Sequence, residues 1–323
     1  MIFLYVLLLA VGMFLLVKGA DWFVDGASNI AKALKIPSLI IGLTLVSMGT
    51  SAPEASVSIN SALSGLSDIS IGNVVGSNMF NTLLILGLSA VIVPVAIDSD
   101  MKKYDIPIML GTYVLLILFA YVISPLTIEL WEGLLLLAAF VSYMVFLVLR
   151  AKKSGANNEE IVSGNEIVKE EEKKQPIWKS IILSVVGLAG IIFGGDLVVD
   201  NASLIAIELG MSEVLVGLTI VAVGTSLPEL VTSIVAAMKK ENDIALGNVI
   251  GSNIFNVIFI LGLSSSITPL LIDQATIVDT LAMLVSGVAV MLIALCGKNM
   301  KKWQGVVMLL GYVAYLTFII IRG

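Results

Sequence analysis

Residues 49–54 read Gly-Thr-Ser-Ala-Pro-Glu, and 175 residues later positions 224–229 read Gly-Thr-Ser-Leu-Pro-Glu, each copy inside a long apolar run. Proline removes a backbone donor and glycine loosens a helix. A carboxylate at the centre of a bilayer costs about 2.5–3.5 kcal/mol on insertion scales and more in simulations. Two such segments in matching places predict a paired polar site built on interrupted membrane helices, the pattern of secondary transporters.

The same offset holds without gaps beyond these segments. Gly19, Asp21 and Asp25 match Gly194, Asp196 and Asp200, and Gly42-Leu43-Thr44 matches Gly217-Leu218-Thr219. Gly72-Asn73-Val74, Gly76-Ser77-Asn78 and Phe80-Asn81 match Gly247-Asn248-Val249, Gly251-Ser252-Asn253 and Phe255-Asn256. A match of this density is an internal duplication.

The chain has 323 residues, 58% hydrophobic and 13% charged, with a mean hydropathy of +1.06. Soluble domains carry about 45–50% apolar and about 25% charged residues, so the chain is a polytopic membrane protein. Apolar windows long enough to cross a bilayer (about 20 residues) fall near 2–20, 36–63, 69–95, 105–124 and 128–149. They resume near 179–198, 205–237, 244–268, 276–296 and 303–321. Between them lies one long hydrophilic stretch, Lys152 to Lys174. The expected organisation is a first five-helix repeat over 1–150, a cytoplasmic linker over 151–178 and a second repeat over 179–323. With ten spans, 17 of the 18 basic residues fall on one side and only Arg322 falls opposite. The positive-inside rule makes that side cytoplasmic and predicts both termini outside. Five spans is an odd number, so the second repeat enters the membrane upside down. The fold class expected is an all-α membrane protein of ten transmembrane helices, arranged as two inverted five-helix repeats in the cell membrane.

Composition excludes several activities. The sequence has no histidine and only Cys296, so histidine-ligated metals, cysteine clusters and histidine acid–base chemistry are excluded. No basic stripe suggests nucleic acid. Gly194-Gly195-Asp196 departs from the G-x-G-D of intramembrane aspartyl proteases, so no enzyme is expected. The apolar N-terminus lacks a basic start and an A-x-A site, and reads as a first span. Trp22, Trp131, Trp178 and Trp303 fall near span ends and read as interface anchors.

Thr50, Ser51 and Glu54 lie within about one helical turn, and Ser77 and Asn81, four apart, share a face. Thr225, Ser226, Glu229, Ser252 and Asn256 repeat the pattern. Pseudo-twofold symmetry would gather these ten side chains near the midplane, with carbonyls freed where Gly49 and Gly224 loosen the helices. Oxygen donors without sulfur or imidazole suit hard cations such as Ca²⁺ or Na⁺. Other residues have plainer readings. Gly72, Gly76, Gly247 and Gly251 suit close helix packing, whereas Asn73, Asn78, Asn248 and Asn253 are open between ligation and helix–helix bonds. Asp21, Asp25, Asp196 and Asp200 read as interfacial or capping residues at span ends. Asp68 and Asp243 suit the starts of the next helices.

At the two G-T-S-x-P-E segments and the G-N-x-x-G-S-N-x-F-N segments that follow them, the chain resembles the cation/calcium exchanger superfamily, specifically its prokaryotic sodium/calcium exchangers. The resemblance implies an alternating-access antiporter carrying Ca²⁺ and Na⁺, with no organic cofactor and with inorganic cations and membrane lipid as partners. Glu54 and Glu229 would be the central ligands. Thr50, Ser51, Ser77, Thr225, Ser226 and Ser252 would complete flanking sodium sites with carbonyls from Ser47 and Ala222, and Asn81 and Asn256 would line the centre. Some prokaryotic members and the potassium-dependent exchangers carry Asp at the position of Asn256, so this site has one fewer titratable charge. The first and sixth helices, rich in Gly, are expected to slide past the core. Ca²⁺/H⁺ exchange through the same glutamates and a passive cation channel are the competing readings.

Overall fold

The computed structural model describes residues 2–162, 176–211, 222–297 and 299–322. Its helices are α1 (Ile2–Leu34), α2 (Ser38–Thr50), α3 (Ala52–Leu63), α4 (Ser67–Ile92), α5 (Met101–Ile123) and α6 (Leu130–Val162). They continue as α7 (Ile177–Glu208), a short turn of helix at Ala222–Gly224, α8 (Leu227–Met238), α9 (Asn242–Ile267), α10 (Thr276–Cys296) and α11 (Lys302–Arg322). Among the described residues, eight helices are long and apolar enough to cross a membrane: α1, α4, α5, α6, α7, α9, α10 and α11. The protein is an all-helical membrane protein.

Two of the expected windows are not single helices. The window 36–63 is divided at Ser51, whose φ of −81° and ψ of 8° leave the helical region between α2 and α3. Pro53 sits in the first turn of α3, where its missing N–H is tolerated. The window 205–237 begins in the last turn of α7 and ends in α8. Residues 212–221, which include Gly217, Leu218 and Thr219, lie outside the described residues. Ser226 (φ −91°, ψ 4°) and Pro228 repeat the interruption ahead of α8. The hydrophilic stretch between the halves starts helical, because α6 runs to Val162. Residues 163–175, which hold Lys169, Lys173 and Lys174, and residue Lys298 are outside the description.

Burial ranks the helices. In the most apolar window of α9, 94% of residues are buried, and in α4 72%, against 17% in α1 and α6 and 11% in α11. α9 and α4 are therefore the centre, and α1, α6 and α11 turn apolar faces outward. α9 can reach the centre because it meets α2 backbone to backbone. A Cβ on Gly247 would lie 2.9 Å from the Gly42 Cα, and one on Gly251 would lie 2.8 Å from the Leu43 Cα. The packing reading thus holds for Gly247 and Gly251. Gly72 and Gly76 meet no described atom within 4 Å.

α1 and α7, the longest apolar pair, each reach about 50 Å at 1.5 Å per residue, beyond the ~30 Å of a hydrocarbon core. Gly12, Gly19 and Gly26 recur every seven residues on α1 and face Gly194, Gly187 and Ser180 in that order on α7, so the two run antiparallel. A Cβ on Gly19 would stand 2.6 Å from the Ile191 nitrogen, and one on Gly187 2.5 Å from the Phe23 nitrogen. Small residues are what let membrane helices approach this closely.

The length of α1 changes the reading of its charges. Asp21 and Asp25 lie inside the helix, which runs on past the first apolar window to Leu34. Both bind Lys239 Nζ at 2.6 Å, tying α1 to the end of α8. Asp196 and Asp200 likewise fall within α7. Position 64, which matches Lys239 in the repeat, is serine, so the first half offers no equivalent lysine to Asp196 and Asp200. Trp131, Trp178 and Trp303 are the second residues of α6, α7 and α11, whereas Trp22 lies in mid-α1. Asp68 and Asp243 fall in the first turns of α4 and α9.

Two short antiparallel ladders, which hydropathy did not suggest, join the halves. β1 (Val95–Ala96) pairs with β4 (Asn299–Met300), and β2 (Thr127–Ile128) pairs with β3 (Leu270–Leu271). Each binds the chain leaving a central helix of one half to the connection ahead of the last helix of the other.

The glycine contact carries a prediction. Gly187→Leu should force α1 and α7 apart and lower the unfolding temperature in detergent, at an overpacking cost of about 1–3 kcal/mol or more. Gly195→Ala, whose Cβ would be 3.5 Å from Leu16 Cδ1, should be tolerated. Equal unfolding temperatures for the two variants would contradict the contact.

Candidate functional site

The two interrupted segments bring both glutamates to the centre. Glu54 opens α3 and Glu229 opens α8, each in the first turn after its proline, where the positive end of the helix dipole favours an anion. They are 1% and 0% exposed. Each is held by a serine of the other half. Ser51 Oγ donates to Glu229 Oε1 at 2.7 Å, and Ser226 Oγ donates to Glu54 Oε1 at 2.9 Å. Ser51 and Ser226 are the residues at which the helices break, so the break aims the hydroxyl across the interface.

Further side chains close around this pair. The Ser77 hydroxyl lies 3.2 Å from Ser226 Oγ, and Ser252 Oγ donates to the Ser47 carbonyl at 3.4 Å. Thr50 and Ser252 also approach the Glu229 carboxylate. Thr50 Oγ1 donates to Asn248 Oδ1 at 3.0 Å. Ala222 begins the helical turn that ends at Gly224, immediately before the second break. The Ser47 carbonyl is already engaged, since it accepts the Ser51 N–H at 3.0 Å as well. Of the ten side chains that the sequence grouped, nine are buried, and Thr225 is half-buried.

The asparagines divide into two kinds. Asn73 Nδ2 donates to the Glu54 carbonyl and Ser58 Oγ, and Asn248 Nδ2 donates to the Glu229 carbonyl and Ser233 Oγ. These two brace the backbone that carries each glutamate. Asn78 and Asn253 bond across the halves instead. Asn256 Nδ2 donates to Asn78 Oδ1 at 3.0 Å, and Asn81 Nδ2 donates to Asn253 Oδ1 at 3.2 Å. All four are therefore helix–helix bonds, the second of the readings left open. Asn81 lies in a widened π turn, Phe80–Ile85, and Asn256 opens another, Asn256–Leu261. Such turns recur at functional sites.

Counting partners exposes the chemistry. Glu54 Oε2, Glu229 Oε2, Asn81 Oδ1, Asn256 Oδ1 and Thr225 Oγ1 are buried without a hydrogen-bond partner among the described residues. An unsatisfied buried oxygen costs about 1–3 kcal/mol, and more where it is charged. Four of the five are matched between the halves, and the two carboxylate oxygens are the only ionisable carboxyl atoms among the buried unpartnered atoms of the described residues. All are hard acceptors that a cation satisfies. No group of three or more His, Cys, Asp or Glu that could hold a metal ion occurs among the described residues. The set has only two carboxylates, enough to balance one divalent ion.

Known proteins give the same frame. The sodium/calcium exchanger protein family matches residues 4–149 and 179–321. The sodium/calcium exchanger MaX1 of Methanosarcina acetivorans is 36% identical over 339 aligned positions, covering 96% of this chain and 97% of that protein. The inner membrane protein YrbG of Escherichia coli K12 is 38% identical over 270, covering 82% and 81%. A structure of the sodium-calcium exchanger NCX_Mj, soaked with zero Na⁺ and Ca²⁺, superposes with a TM-score of 0.84 at 32% identity, over 99% of this chain and 100% of that one. The same exchanger soaked with 10 mM Na⁺ and 10 mM Sr²⁺ gives 0.82. An all-helical fold, two buried glutamates facing each other's serines and these full-length likenesses place the chain in the sodium/calcium exchanger family, among its prokaryotic members.

Proposed function

We propose that the protein is a secondary-active antiporter that exchanges Ca²⁺ for Na⁺ across the cell membrane by alternating access. The observation that carries this reading is the matched set of unpartnered oxygens on Glu54, Glu229, Asn81 and Asn256. Ca²⁺ binds between the two glutamates as the transported substrate. Na⁺ ions compete for the same oxygens and for the hydroxyls of Thr50, Ser51, Ser77, Thr225, Ser226 and Ser252, with carbonyls of Ser47 and Ala222 completing the flanking positions.

The reading extends to topology. Ten transmembrane segments form two inverted five-helix repeats, 1–150 and 179–323, joined by a cytoplasmic linker over 151–178, with both termini outside. The reciprocal bonds Ser51–Glu229 and Ser226–Glu54 and the two crossed ladders support such a pseudo-twofold. α1 and α7, which meet along glycine faces, slide together past the core to open one side and then the other. An empty centre with two unbalanced carboxylates is too costly to carry through this change, so only loaded states cross.

Proteoliposomes loaded with Na⁺ and diluted into radiolabelled Ca²⁺ should accumulate the label, whereas vesicles holding K⁺ should not. Accumulation driven only by an acid interior would move the protein to proton coupling. Glu54→Gln and Glu229→Gln should each reduce uptake to background, and near-normal flux in either would remove the glutamates from the site. Ser51→Ala and Ser226→Ala each delete one charge-assisted hydrogen bond, worth about 1.5–3 kcal/mol. Both should raise the apparent KM for Ca²⁺ by about ten- to a hundredfold, and by similar factors, because the two serines hold equivalent places. A change in one variant alone would refute that equivalence.

A further inference from the structure

Asn81 and Asn256, which the proposed ion site includes, pose a problem of direction. A carboxamide has an acceptor end and a donor end of nearly equal shape, and only the oxygen attracts a cation. An amide turned the other way would present N–H groups to Ca²⁺. Something must choose the end.

The choice can be traced from groups that have no ambiguity. Asn78 Nδ2 reaches the Asn253 backbone carbonyl at 3.2 Å and Met283 Sδ at 3.6 Å. A carbonyl and a thioether only accept, so the amino end of Asn78 must lie there and its Oδ1 must lie on the other side. That oxygen faces Asn256 and accepts its Nδ2 at 3.0 Å. Asn256 then has only Oδ1 left, and this is one of the unpartnered buried oxygens. The second half mirrors the logic. Asn253 Nδ2 meets Met109 Sδ at 3.6 Å and Thr82 Oγ1 at 2.8 Å, so its Oδ1 accepts Asn81 Nδ2 at 3.2 Å and leaves Asn81 Oδ1 over. All four asparagines are at most 1% exposed, so water does not compete for these bonds.

We propose that Asn78 and Asn253 are positioning residues that hold the carboxamides of Asn256 and Asn81 with the oxygen, not the amino group, toward the transported cation. The assignment rests on the ion-site reading of Glu54 and Glu229. It also explains why this chain pairs asparagine with asparagine at the centre. An ionised aspartate at 256 would set a carboxylate oxygen against Asn78 Oδ1, two acceptors about 3 Å apart with no proton between them.

The test is a double-mutant cycle on Na⁺-driven Ca²⁺ uptake in proteoliposomes. Asn78→Ala should raise the apparent KM for Ca²⁺ roughly tenfold, about the value of one hydrogen bond, with the maximal rate little changed. In an Asn256→Ala background the same substitution should do nothing more, because no amide is left to orient. Asn253→Ala should behave alike toward Asn81→Ala, and Asn78→Ala should keep its effect in the Asn81→Ala background. Equal effects of Asn78→Ala in the parent and Asn256→Ala backgrounds, or an unchanged KM, would overturn the proposal. If the alanine variants are not monodisperse in detergent, the near-isosteric Asn78→Leu and Asn253→Leu serve in the same cycle with the same criteria. Normal uptake by Glu54→Gln would remove the ion site itself, a failure distinct from any result of the cycle.

Discussion

Two carboxylates in an apolar interior are the constraint around which the molecule is organised. Each is buried, and each receives one serine hydroxyl on one oxygen. A single hydroxyl hydrogen bond does not replace the hydration of an anion, whose transfer to low dielectric costs many kcal/mol. Neither a lysine nor an arginine is bonded to them; the described ion pairs involve Lys18, Lys239, Arg150 and Arg322 and lie elsewhere. On the proposed exchange reading the balancing charge comes from the transported cation, and under proton coupling the same two carboxylates would be balanced by protons.

The backbone is arranged to meet that constraint. Pro53 and Pro228 interrupt the helices so that each glutamate starts a new helix and each preceding serine points across the interface. Gly247 and Gly251 bring α9 onto α2, and this contact places Asn248 and Ser252 against Thr50 and Ser47. Larger residues at those glycines would separate the two polar clusters by the width of a side chain. Close packing and ligand geometry are here the same requirement.

The duplication made much of the centre legible. Polar residues recurring at a fixed offset inside apolar runs have few structural explanations, and Glu54, Glu229, Ser51 and Ser226 do lie together. What hydropathy could not give is how far a helix runs beyond its apolar window. The first window ends near residue 20, yet α1 continues to Leu34, and along it Asp21 and Asp25 pair with Lys239, more than two hundred residues away. The roles of Asn78 and Asn253 were equally hidden. Their place in the repeat marked them as special, but only the distances to a backbone carbonyl and two thioethers reveal which end of each amide is used.

A carrier must also let its ion go, and the composition of this centre suits that need. A third carboxylate would deepen the electrostatic well for a divalent cation and slow its release. Neutral amide oxygens add coordination without adding charge. Fixing those amides by hydrogen bonds to neighbouring asparagines supplies directional ligands while the formal charge of the site stays at two carboxylates. The energy that orders the amides is contributed by the α4–α9 interface and is present before the ion arrives, so less ordering remains to be done on binding. On the proposed exchange, binding is then governed mainly by the balance between ion dehydration and the two carboxylates, a balance that differs between a monovalent and a divalent cation.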